Sequence, residues 1–142
     1  AGEGPIADNT ARELSYRKIS FIRIRSQAAD TGPASKDTEV IGDATNETVQ
    51  KNAGIQNAQM VIAAGDNDGD NAFITLLAKD LNPAVRVLAV ANDINAISRL
   101  KLARADLVFA PAAVGSRLLA NLAQGDRISE EFRDLLEGKE NG

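Results

Sequence analysis

The residues of this chain that could do chemistry are glycines and short acids placed where apolar runs end. Gly2-Glu3-Gly4-Pro5-Ile6-Ala7 fits G-x-G-x-x-A and opens an amphipathic segment through Ala7, Ala11 and Leu14. Glycines at that spacing let a turn approach a pyrophosphate, whose charge is met by N–H groups at a helix start. Pro5 suits the first helical turn, where its missing N–H costs nothing. Such a fingerprint needs a strand directly before its first glycine, and only Ala1 precedes Gly2. Either a strand lies upstream, or the glycines form a turn that binds nothing. Two further turns follow apolar runs and precede helical patterns: Gly42-Asp43-Ala44-Thr45 and Ala64-Gly65-Asp66.

At the end of the run Ile19–Arg25 stands Arg25, then Ser26. Dinucleotide-binding folds place an acid there to accept from ribose hydroxyls. An arginine cannot accept; it can pair with a phosphate, or simply be a solvated strand end. Asp66, Asp68 and Asp70 alternate like the start of a calcium loop, but the sixth position is Asn71 and the twelfth Leu77, not glycine and glutamate. Helix capping and the helix dipole explain these acids.

Nucleophilic and metal chemistry are thinly supplied. Histidine and cysteine are absent from the 142 residues, and there is one tyrosine. The net charge of −4 with no basic stripe argues against nucleic acid as a partner. No apolar run approaches the roughly 18–20 residues that span a bilayer.

The elements that must position these turns are strands alternating with helices. Glu39 to Asp80 reads strand, helix, strand, helix: Val40-Ile41, a helix over Asn46–Ala53 capped by Thr45, Met60–Ala64, and a helix burying Phe73, Ile74, Leu76, Leu77 and Leu81. Val85–Val90 and Asp106–Phe109 are further strands. Alternation of this kind predicts an α/β fold, one parallel sheet of about six strands flanked by helices, the first strand incomplete or supplied upstream, with ligands beyond the carboxyl ends of the strands. Gln27–Asp37 reads as a loop, and Ser129 caps a last amphipathic helix. The faces carrying Ile94, Ile97 and Leu100, and Val114, Leu118 and Leu122, are candidates for isologous dimer packing.

The order GxGxxA, VIGDAT, NAGI–NAQMVIAAGDND–DNAFITLLAKDLNP, VRVLAVAND and LARADLVFAPAAVGSRLLA resembles the regulator of potassium conductance (RCK) domain of the TrkA N-terminal type, as found in Kch-like bacterial potassium channels. The resemblance runs from Ala1 to about Ile128. It implies a Rossmann-like domain over 1–128, with 129–142 as a C-terminal amphipathic helix and tail. It further implies a non-catalytic role at the cytoplasmic face of the cell membrane, as a homodimer or tetrameric gating assembly attached to an upstream pore domain. The candidate cofactor-binding residues are Gly2, Gly4, Ile6, Arg25, Asp43, Ala44, Thr45, Ala64 and Gly65, of which Gly2, Gly4, Asp43, Ala44 and Thr45 match the family pattern, and they would hold at most weakly an adenine nucleotide (ADP, ATP or NAD(P)). The family usually carries a basic residue where Pro5 stands and an acid where Arg25 stands, and Glu3 adds negative charge beside any pyrophosphate. These departures favour ADP or ATP over NAD(H). The carboxylates of calcium-gated relatives are replaced by Ala64, Val90 and Asn92, so no metal site is carried over. Two other functions remain: a soluble nucleotide-binding subunit of a potassium transporter, and a nucleotide-dependent enzyme fragment in which Lys79 or Asp43 would act.

Overall fold

The computed structural model describes residues 1–27 and 38–138; residues 28–37 of the expected loop lie outside the described residues. Helix α1 (Pro5–Tyr16) starts with Pro5 in its first turn and Gly4 at its N-cap. Strand β1 (Arg23–Arg25) is shorter than the apolar run from Ile19, because its partner β2 (Glu39–Ile41) has only three residues to pair with it. Helix α2 (Glu47–Asn52) is capped by Asn46, whose Oδ1 accepts from the Thr48 and Val49 N–H groups. Thr45 is therefore not the cap that the sequence suggests. Its hydroxyl and N–H both donate to Asp43 Oδ1 (2.6 and 2.8 Å), which leaves the capping position to the next residue.

Strand β3 (Met60–Ala63) leads to α3 (Asp68–Leu81), capped by Asn67. The buried stripe of α3 is Asn71, Ile74, Thr75 and Ala78, spaced i, i+3, i+4, i+7. Phe73 and Leu76, expected inside, fall off that stripe and are exposed. Strand β4 (Arg86–Val90) is followed by a 3-10 turn, Ile94–Ala96, that Asp93 caps, and by α4 (Ile97–Leu102). Leu100 is fully buried, so it belongs to the domain core and not to the partner-facing surface expected for it. Strand β5 is Leu107–Phe109.

All pairings are parallel. The five strands among the described residues form two parallel sheets, β1–β2 and β3–β4–β5, in keeping with the expected Rossmann-like sheet whose first strand is incomplete. The sheets are joined through the backbone of Ala1 and Gly2. The Ala1 nitrogen donates to Ile62 O (2.7 Å), Ala64 N–H to Ala1 O (2.9 Å), and Gly2 N–H to Ile24 O (3.2 Å). Ala1 and Gly2 thus bridge the edges of β1 and β3. A cleft of about 890 Å³ runs back between those edges, lined by Ile22, Ile24, Met60 and Ile62. One apolar cluster joins Ile55, Ala78, Val85 and Val87; another joins Ala7, Ala64 and Val90.

By its packing the chain divides into Ala1–Pro111, which holds the five described strands, and Ala112–Gly142. The second unit carries α5 (Pro111–Ala123) from its second residue on, no α5 residue being buried, and α6 (Glu130–Glu137), capped by Ser129 and ended by Gly138 in the left-handed conformation. No helix among the described residues is long and apolar enough to cross a membrane.

Candidate functional site

Parallel strands deliver their carboxyl ends to one edge, and the turns there are drawn together by close backbone approach. A Cβ on Gly2 would stand 2.3 Å from the Gly65 nitrogen, and Gly2 has φ 118°. Only glycine allows this loop to lie against the β3–α3 turn. Asp66 N–H donates to Glu3 O (3.0 Å), fixing the same contact from the other side. Helix α1 then points its N-terminus at this edge. Its first hydrogen bond runs from Asp8 N–H to Gly4 O (3.0 Å), so the N–H of Ile6 precedes the helical ladder and Pro5 has none. The Asp8 carboxylate pairs with Arg23, whose hydrogen bond holds it below the usual aspartate range.

Glu3 does not simply project a charge from the loop. Its Oε1 accepts from the Ser26 N–H (2.5 Å) and from the Ser26 hydroxyl, at the carboxyl end of β1. These bonds, the hydroxyl's first, hold the Glu3 carboxyl below its ordinary value. Arg25 beside it is engaged: Nη1 lies 3.1 Å from Glu39 Oε1, and Nε is buried with no partner.

At the end of β2, Gly42 N–H donates to Arg25 O (2.9 Å), and Asp43 is tied to Thr45, whose hydroxyl and N–H keep it ionised. Ala44 is buried, and its carbonyl accepts from Gln50 Nε2 (2.8 Å). The structure thus brings Gly2, Gly4, Ala64 and Gly65 together with the Arg25–Ser26 end of β1. It places Asp43, Ala44 and Thr45 one strand further along the same edge, and Ile6 at the α1 start.

Sequence reasoning passed over the polar groups that hold these turns. Asn71 is fully buried; its Oδ1 accepts from Gly65 N–H (3.0 Å), and its Nδ2 donates to Gly65 O and Val90 O (both 2.9 Å). Asp68 accepts from the backbone N–H groups of Asn92 (2.7 Å) and Asp93 (2.9 Å) and from Asn92 Nδ2 (2.9 Å), clamping the end of β4 to the start of α3. Burial works to raise the Asp68 pKa, but those donors outweigh it and the net shift is downward. The available signal was Asn71 at the head of the helical stripe that continues through Ile74, Thr75 and Ala78. Among the described residues no group of three or more potential ligands is placed to hold a metal ion.

Parallel strands alternating with helices, with a glycine turn against the strand ends, define a Rossmann-like α/β domain. The chain belongs to the TrkA-N domain family, whose model matches residues 1–111. It is 33% identical over 137 residues to the voltage-gated potassium channel Kch of Escherichia coli (strain K12), covering 92% of this chain and 33% of that protein. The structure of GsuK bound to ADP superposes with a TM-score of 0.73 at 33% identity, over 85% of this chain and 32% of that one. The GsuK channel bound to NAD gives 0.72 at 32% identity, over 87% and 22%. The chain therefore spans about a third or less of these proteins.

Proposed function

We propose that this chain is a non-catalytic regulatory domain of a potassium channel. It would act at the cytoplasmic face of the membrane, in a homodimer or larger gating assembly, and carry a weak adenine-nucleotide site at the strand edge. Residues 1–128 would form the regulatory unit and 129–142 its amphipathic tail. The observation that carries this reading is the Gly2–Gly4 loop seated on Gly65 at the start of α1, in a TrkA-N chain whose similar solved structures include GsuK with ADP and with NAD. Gly2, Gly4, Ile6, Ala64 and Gly65 would approach the phosphates through backbone. Arg25, Asp43, Ala44 and Thr45 would bound the adenosine side. A regulatory ligand moves a pore only by binding two arrangements of the assembly unequally. ADP, ATP and NAD⁺ should each be titrated calorimetrically, and potassium flux through vesicles bearing the native protein measured with and without the tightest of them. Saturable binding and a changed flux are expected. Flux indifferent to every nucleotide that binds would overturn the regulatory role.

A further inference from the structure

We propose that Glu3 is the ribose-diol acceptor of this site, so that the site selects a nucleotide with free 2′- and 3′-hydroxyls over one bearing a 2′-phosphate. The proposal rests on the nucleotide reading above.

The acid that ordinarily ends this strand and accepts from the ribose is absent: β1 ends in Arg25 and Ser26. The tertiary structure returns a carboxylate to the same place from the glycine loop. Glu3, 23 residues away in sequence, is brought to the end of β1 by the Ser26 N–H and hydroxyl, both donating to Oε1. A carboxylate has about four lone-pair sites. Oε1 takes both Ser26 bonds and the Gln27 backbone N–H also donates to the carboxylate, so one site is left to a ribose hydroxyl. The Glu3 residue is exposed, so a ligand can reach it.

The charges nearby point the same way. A 2′-phosphate would need a cation, and the cation at this strand end is Arg25, which pairs with Glu39. Two carboxylates thus lie near one guanidinium, an arrangement that accepts from hydroxyls and repels a phosphate. Glu3 does not itself meet the pyrophosphate. That remains with the backbone at Gly4–Ile6 on the α1 side of the loop.

The whole chain should be titrated with ADP, 2′,3′-dideoxy-ADP and adenosine 2′,5′-bisphosphate, as native protein and as Glu3→Gln, Glu3→Lys and Ser26→Ala, each checked for native-like melting by circular dichroism. In the native protein, loss of hydrogen bonds to a charged acceptor should weaken dideoxy-ADP about ten- to a hundred-fold relative to ADP. Glu3→Gln should shrink that ratio to about three-fold or less, with dideoxy-ADP affinity unchanged, because the amide forms only neutral bonds of about half the strength. Glu3→Lys should move the preference to the 2′-phosphate, and Ser26→Ala should give an intermediate ratio. ADP binding with equal dideoxy-ADP binding, or a ratio that survives Glu3→Gln, would overturn the role of Glu3 and leave the nucleotide site standing. Failure of all three ligands on native protein and Glu3→Gln alike would remove the site itself.

Discussion

Asn71 and Gly65 exchange two hydrogen bonds, Gly65 N–H to Asn71 Oδ1 at 3.0 Å and Asn71 Nδ2 to Gly65 O at 2.9 Å. The side chain of a buried helix residue thereby stands in for a strand partner just where β3 has ended. The same amide also donates to Val90 O, so one side chain sets the height of two strand ends. Asn71→Ala would leave the Gly65 N–H and the Val90 carbonyl without this partner. A cost of about 2–3 kcal/mol is expected, since each buried polar group left unmet costs about 1–3 kcal/mol. Urea denaturation measures it, and a change below about 0.5 kcal/mol would show that water replaces the amide.

Gly2 and Gly54 both have positive φ, but only Gly2 is crowded. A Cβ on Gly2 meets Gly65 backbone at 2.3 and 2.5 Å, whereas one on Gly54 meets nothing within 4 Å. Gly54→Ala should therefore cost only the conformational penalty, about 1–2 kcal/mol. Gly2→Ala must in addition push the loop off the β3–α3 turn, at about 1–3 kcal/mol more. Equal melting temperatures for the two variants would contradict the close approach.

Lys79 and Asp106 tie α3 to the approach of β5. Lys79 Nζ donates to Asp106 Oδ2 and to Val85 O, each at 2.7 Å, and Val87 N–H donates to the same Asp106 oxygen. The Lys79 hydrogen bond first, then that of Val87, holds the Asp106 pKa below its ordinary 3.8. A depressed folded-state value means that the stabilisation is present above 3.8 and is lost as pH falls through the lower folded value. Asp106→Asn should cost about 1 kcal/mol near neutral pH, given a partly exposed pair. The gap between native and variant urea midpoints should close as the pH is lowered past the ordinary aspartate range. A gap that stays constant down the acid limb would show that Asp106 does not contribute through its charge.

Helix α5 leaves Val114, Leu119 and Leu122 exposed. If assembly uses this face, Leu119→Glu with Leu122→Glu should raise the self-association constant for dissociation by at least ten-fold in sedimentation equilibrium. The strand-bearing unit should keep its circular dichroism. An unchanged association constant would move the interface elsewhere, for example to the exposed Ile94 and Leu102 around α4.

The α/β alternation, the parallel pairing and most element boundaries were legible in the sequence because they follow from local information. The period of apolar residues, Pro5 inside the start of α1, Gly54 after α2, and Ser129 and Gly138 about α6 each act within a turn or two of the backbone. The strand-end turns were legible for the same reason, since they are what is left between a buried run and a capped helix. Cap choice was less so: Thr45 and Asn46 are both competent, and the decision fell to Asp43, which captures Thr45.

What tertiary structure alone decided depends on residues far apart in the chain. The sequence shows Glu3 as a negative charge beside a phosphate turn; folding delivers it to Ser26, 23 positions on. Arg25 reads as a free cation, and strand pairing sets it against Glu39. Phe73 and Leu76 read as core, and Leu100 as a surface for a partner; packing reverses each. Amphipathic periodicity states that a helix has an inner face, but which residues occupy it is settled by the neighbours that the strand order brings to it. Hydrogen bonds between distant side chains carry no local period at all. They become visible only when the strand ends stand side by side.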